Sequence, residues 1–223
     1  MIGIIEVYGS MLLRALGQTL LLTLLSLLFA MVIGMIFGLM NVGHNRVLNL
    51  IGTIYVDAVR GVPLIVLAYF IYFGVPAGMQ GLGFASFRLN ALQAGTTALS
   101  MNCGAYMAEI IRGGIEAIDR GQMEAARSLG LPYGKAMSKI ILPQAIRTMI
   151  PSIINQFIIT LKDTSILSVI GFPELVNTAK NVVANTFKSF QVWTIVGIMY
   201  LIIILILSKA AKRLERSWSR GRQ

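Results

Sequence analysis

The sequence predicts an all-α, polytopic membrane protein with about five transmembrane helices. Three observations carry this prediction. Of its 223 residues, 56% are hydrophobic and only 13% are charged, and the mean hydropathy is +0.76. The apolar residues gather in runs long enough to cross a hydrocarbon core of about 30 Å. The cations flank those runs, so the net charge of +10 fits a membrane protein facing lipid and not a nucleic-acid binder. No basic stripe with interleaved aromatics occurs, and no nucleic-acid partner is expected. The chain reads as a single transmembrane domain over residues 1–223.

Residues 1–10 carry no cationic start and no small-residue cleavage site, so no removable signal peptide is expected. The first span is read over 16–40, where Gly34 and Gly38 form a Gly-x3-Gly pair that permits close helix packing. A short loop with His44 and Arg46 follows. The second span is read over 53–76. Asp57 and Arg60 lie on one helical face, and Gly61 and Pro63 then interrupt the helix. Such a break is tolerated where it is buried in protein or lines a cavity; an interfacial Asp57–Arg60 ion pair is the plainer alternative. A Gly-rich loop at 77–88 leads to the third span at 90–111. Its many small residues, Ala94, Gly95, Ala98, Gly104, Ala105 and Ala108 among them, predict a central helix. The fourth span, 146–170, carries Pro151, Asn155, Gln156, Thr160, Lys162 and Asp163 and is too polar to face lipid all round. An amphipathic stretch at 171–190 leads to the fifth span at 192–207 and a basic tail. No internal repeat is found, which speaks against an inverted-repeat secondary transporter.

The segment 112–147 and the tail hold most of the loop cations: Arg112, Arg120, Arg127, Lys135, Lys139 and Arg147 in the first, Lys209 to Arg222 in the second. The opposite side holds Arg14, Arg88, Lys180 and Lys188. The positive-inside rule therefore puts the segment and the tail in the cytoplasm and, with five spans, the N-terminus outside.

Covalent chemistry is not expected. Cys103 is the single cysteine and sits in an apolar segment, which suits an inert thiol better than a metal ligand. His44 is the single histidine and reads as a solvated loop residue. Gly134-Lys135 is followed by Ala136, so no phosphate-binding loop is formed, and an energy source would lie on another chain.

The segment 112–145 looks helical. Asp119 with Gln122 resembles an N-cap and its capping-box partner, Met123, Ala126 and Leu129 recur at helical spacing, and Ala125 and Ala126 keep the surface slim. Gly130 suits the position after a helix end, and Pro132 suits the first turn of a second short helix. An ordinary interfacial helix-turn-helix lying on lipid would also fit these signals. The spacing Glu124-Ala125-Ala126, Gly130, Ile140, Leu142, Pro143 resembles the E-A-A-x3-G-x9-I-x-L-P loop of ABC-transporter permease subunits. The stretches Arg60-Gly61-Val62-Pro63-Leu64, Ala105-Tyr106-Met107-Ala108-Glu109 and Leu161-Lys162-Asp163-Thr164-Ser165 are similar to the polar-amino-acid branch, the histidine and glutamine permease type. Val62 replaces a Thr frequent there.

That resemblance, which covers nearly the whole chain, implies a type I ABC importer permease fold in a bacterial inner membrane. It implies that Glu124, Ala125, Ala126, Gly130 and Leu131 dock on a cytoplasmic ABC ATPase. It also implies a second permease subunit, identical or related, and an extracytoplasmic amino-acid-binding protein. No cofactor is expected on this chain; ATP and Mg would bind the ATPase. The expected substrate path uses Arg60, Asn102, Gln156, Thr160, Lys162 and Asp163. Counted from Ile146, Asp163 lies about 24 Å into the bilayer. A polar amino acid brings an ammonium and a carboxylate, which suits an anion and a cation on the path. Lys162 can snorkel and Asp163 cannot, so Asp163 is assigned to the cavity. A salt bridge locking neighbouring helices is the alternative. An ion-coupled transporter or channel subunit is the alternative function.

Overall fold

The computed structural model describes residues 2–43 and 45–219, with side chains up to Arg213. His44 and the tail cations Arg216, Arg220 and Arg222 fall outside the described side chains. Among the described residues every regular element is helical, as the sequence predicts.

Helix α1 (Ile2–Val42) begins well before the expected start of the first span. Its early turns have an apolar face to bury: Ile4, Leu12 and Ala15 pack on Leu175, Ala179, Val182 and Val192 from the far end of the chain. Helix α2 (Arg46–Gly61) is capped by the Asn45 side chain, which accepts from Val47 N and Leu48 N. Val62 then turns extended, as a residue before proline tends to, and α3 (Leu64–Tyr69) starts after Pro63.

The apolar crossing here is Leu64–Gly81, not 53–76. It is built from α3, a wide π turn at Phe70–Gly74, and α4 (Val75–Gly81). A second π turn, Met137–Ile141, joins α7 (Tyr133–Ala136) to α8 (Leu142–Asp163). Each π turn lies just before a proline, Pro76 or Pro143, and contains the residue four positions back whose carbonyl the ring would strike. Widening the turn relieves that clash without ending the helix. A 3₁₀ turn, Thr164–Ile170, finishes this run, so the fourth span belongs to one helical run over Tyr133–Ile170.

Helix α5 (Ala91–Glu116) starts at an Asn90–Gln93 capping box and outlasts its expected end by more than a turn. It runs parallel to α1 and in step with it: Leu22 lies by Gly95, Gly34 by Gly104, and Gly38 by Ile111. This seam follows about 24 Å of both axes. Four segments are long and apolar enough to cross a membrane: Ile2–Val42, Leu64–Gly81, Tyr133–Ile170 and Ser189–Arg213. Polar residues such as Gln93, Ser100 and Asn102 dilute the apolarity of α5, yet it follows α1 through a span's depth inside the protein and serves as the fifth. The small residues Gly34, Gly38 and Gly104 let the two backbones meet, as their spacing predicts.

Helix α8 runs antiparallel to α5, with Met149 by Gly114 and Thr160 by Cys103. Gly171, at φ +77°, ends the 3₁₀ turn. Glu174 caps α9 (Leu175–Thr186), and α10 (Ser189–Ser219) closes the chain.

Candidate functional site

Two features stand out at one end of the bundle. The first is a knob. Helix α6 (Arg120–Ser128) begins at Asp119, whose carboxylate accepts from Gly121 N at 2.6 Å. The Gln122 backbone N–H bonds to the Asp119 carbonyl; among the recorded bonds its side chain completes no capping box. The helix ends in a Schellman motif. Gly130 N donates to Arg127 O and Leu131 N to Ala126 O, with Gly130 at φ +83°. Pro132 is the N-cap of α7, one position before the expected site.

This geometry sorts the proposed docking residues. Glu124 and Ala125 are exposed, and Leu131 is half-buried. Ala126, by contrast, is 2% exposed and faces inward, so it seats the knob and presents no surface to a partner. Leu129 shares helical phase with Met123 and Ala126, but the C-cap turns it outward and leaves it 84% exposed. Its exposure is not legible from helical phase, because that phase ends at the cap.

The second feature is a pair of adjoining cavities beside α5. A cavity of about 470 Å³ is lined by Arg60, Tyr106, Glu109, Ile110, Pro151, Ser152, Asn155 and Gln156. A second, of about 320 Å³, shares Arg60 and Glu109 and continues toward the knob end. Two of the six expected path residues, Arg60 and Gln156, therefore meet in one space. Arg60 does not pair with Asp57 within 4 Å; its Nη1 lies 3.7 Å from Glu109, and its guanidinium sits 5.2 Å over the Tyr106 ring. Glu109 also accepts two bonds from Arg112, which bonds Glu116 at 2.7 Å as well. Tyr106 and Glu109 were visible only as part of a motif; the α2–α5 contact that gives them a role is long-range.

Asn102 and Thr160 are buried between helices and do not line either cavity. The Thr160 hydroxyl bonds to Gln156 O at 2.9 Å and to Cys103 Sγ at 3.1 Å. That contact sets the depth of Asp163. Cys103 is near the middle of the 26-residue α5, and Asp163 lies about 4.5 Å farther from the knob. Asp163 shares a stripe with Gln156, two turns away, and is half-buried. Lys162 is exposed. Among the described residues the Asp163 carboxylate has no ion pair within 4 Å and no hydrogen bond.

The comparisons with known proteins agree with this layout. The family model described as binding-protein-dependent transport system inner membrane component matches residues 30–220. The glutamine transport system permease protein GlnP of Escherichia coli K12 is 35% identical over 206 residues, which is 92% of each chain. The arginine transport system permease protein ArtQ of Bacillus subtilis is 37% identical over 205 residues, covering 92% of this chain and 91% of that one. A solved amino acid ABC transporter with histidines is 36% identical, with a TM-score of 0.88 over 97% of each chain. The fold is that of the type I ABC importer permeases, and the chain belongs to the family of inner membrane components of binding-protein-dependent transport systems.

Proposed function

We propose that this chain lines the route by which a polar amino acid crosses the membrane in an ABC importer. Asp163 carries the reading: a half-buried carboxylate near mid-depth with no ion pair within 4 Å among the described residues, two turns along α8 from Gln156, which lines the cavity. An intramembrane anion without a partner in its own chain suits a substrate ammonium. The Arg60 guanidinium, which lines the same cavity as Gln156, suits a substrate carboxylate. The relatives named for glutamine and arginine transport support an amino acid cargo, and the family favours an ABC permease over an ion-coupled transporter or channel.

The partners follow from the same reading. Glu124, Ala125 and Leu129 on the knob meet a cytoplasmic ATPase, which binds ATP and Mg and does the hydrolysis. A second permease copy or relative closes the path, and an extracytoplasmic binding protein delivers the cargo. The knob faces the cytoplasm and the N-terminus faces outside, supported by the cation asymmetry.

The test is Asp163→Asn, reconstituted with its partners. Losing a charge-assisted hydrogen bond worth about 1.5–3 kcal/mol weakens substrate binding by about 10- to 150-fold. Assembly and basal ATP hydrolysis are expected to persist while uptake of polar amino acids falls. Poor assembly, with normal uptake by whatever complex remains, would show that Asp163 pairs across the subunit interface instead.

A further inference from the structure

The two cavities beside α5 have separate walls except for two residues. Arg60 and Glu109 line both, so the space around Gln156 meets the space at the knob end at this one ion pair. The two partners are held very differently.

Glu109 is fixed within its own helix. Arg112, about one turn farther along α5, donates to both of its carboxylate oxygens and bonds Glu116 as well. These bonds are local to α5, so the carboxylate keeps its place whatever α2 does. Arg60 has no such anchor. Its Nη1 stands 3.7 Å from Glu109, beyond hydrogen-bond reach, and its guanidinium lies 5.2 Å over the Tyr106 ring. Among the described residues it makes no hydrogen bond. A charge and a ring face attract without fixing direction, and a partly exposed pair of this kind is weak.

The packing of α2 does not depend on Arg60. Farther back on the same helix the Tyr55 hydroxyl donates to Met101 O on α5 at 2.9 Å. The Tyr55 ring also stacks on Phe37 of α1, with centroids 3.9 Å apart. The guanidinium is therefore free to swing on its long side chain while the helices stay together.

A loosely held cation thus faces a fixed anion where two cavities join. We propose that Arg60 and Glu109 form the inner gate of the path: paired, they separate the Gln156 cavity from the knob-end cavity; parted, they connect the two. Arg60 is the moving half and Glu109 the stationary one. The proposal rests on the importer reading above, in which these cavities carry the cargo. It extends the task given there to Arg60, because a guanidinium that leaves Glu109 for a substrate carboxylate opens the way as it binds.

Cysteine accessibility tests the gate. Ser152 lines the Gln156 cavity alone and Thr53 the knob-end cavity alone, and both are exposed. Each is replaced by cysteine in a Cys103→Ser background. The complete complex is probed without nucleotide or substrate in inverted membrane vesicles, whose cytoplasmic face meets an impermeant thiol reagent. Ser152→Cys is expected to react more slowly than Thr53→Cys. Adding Glu109→Gln removes the attraction and is expected to speed Ser152→Cys labelling by about fivefold, the shift that loss of a partly exposed ion pair allows. Tyr106→Leu spares the bonds between Glu109 and Arg112 and is expected to act in the same direction, so a Glu109→Gln complex that assembles poorly does not decide the matter. Tyr106→Phe keeps the ring and is expected to change nothing. Thr53→Cys labelling is expected to stay constant throughout. Equal rates for Ser152→Cys and Thr53→Cys in the otherwise unchanged complex would show a passage already open and overturn the gate. So would a Ser152→Cys rate that neither Glu109→Gln nor Tyr106→Leu raises, or a rise shared by Thr53→Cys, which marks general loosening. The labelling uses no substrate, so it holds or fails apart from the uptake of polar amino acids, whose absence would instead sink the importer reading.

Discussion

Replacing Gly38 with alanine tests the seam between α1 and α5. A Cβ at this position would lie 2.9 Å from Ile111 Cβ and 3.0 Å from Ala108 O. Ordinary carbon contacts are about 3.5–4.0 Å, so the helices must part by about 1 Å. A gap of that size forfeits about a quarter to a half of each dispersion contact along the seam. Overpacking of this kind costs about 1–3 kcal/mol. Alanine also favours the helix by about 1 kcal/mol, which would hide part of the loss. Gly17 supplies the control: it lies on the same helix and a Cβ there meets nothing within 4 Å. The difference between Gly38→Ala and Gly17→Ala isolates the packing cost. At about 2–4 °C per kcal/mol, Gly38→Ala should melt about 2–12 °C lower than Gly17→Ala. The assay is the apparent melting point of the detergent-purified complex at a fixed scan rate, because such unfolding is rarely reversible. Equal melting points for the two variants would refute the close-packed seam.

Three further outcomes are expected. Gly130→Asp strains a left-handed turn, and Glu124→Lys reverses an exposed charge; both should insert normally yet retain less ATPase on co-purification. Glu174 lies outside the spans, and burial raises its pKa above the usual carboxylate value, opposed by bonds from Val176 N and Asn177 N. The folded protein then holds a proton that the unfolded chain has released, so stability should fall as pH rises from the ordinary carboxylate pKa through the raised one. Glu174→Gln should flatten that slope in melting points taken across the window. In a Cys103→Ser background, Ser128→Cys should resist an impermeant thiol reagent in intact cells and Ala85→Cys should react; labelling of Ser128→Cys from outside would invert the orientation.

The legible features were those with local causes. Asp119, Gly130 and the break at Gly61–Pro63 act within a few residues, and the structure uses each one. The Gly34–Gly38 pair was legible because helical spacing alone puts both glycines on one face. Other features needed a distant partner. Nothing near residues 2–15 announces that α9 and α10 will cover Ile4 and Leu12, so the start of the first span was read at residue 16. Arg60 has Asp57 three residues away in sequence, yet it leans toward Glu109, which only folding brings near. Leu129 kept the phase of Ala126 on paper, and the cap at Gly130 rotated it out.

The uninterrupted helical run from Tyr133 has a mechanical consequence. Because the π turn accommodates Pro143 without a break, Tyr133 at the edge of the knob and Asp163 sit about 45 Å apart on one helical run, with Pro151 between them. A hinge between them would dissipate any push from below; a rod converts it into displacement. A tilt of about 5° over that length moves its far end by about 4 Å, about three-quarters of a helical turn's rise. A push that tilts the run at its Tyr133 end would shift Asp163 relative to α5, and the stiffness of Met137–Ile141 and of the Pro151 turn sets how much of the push arrives.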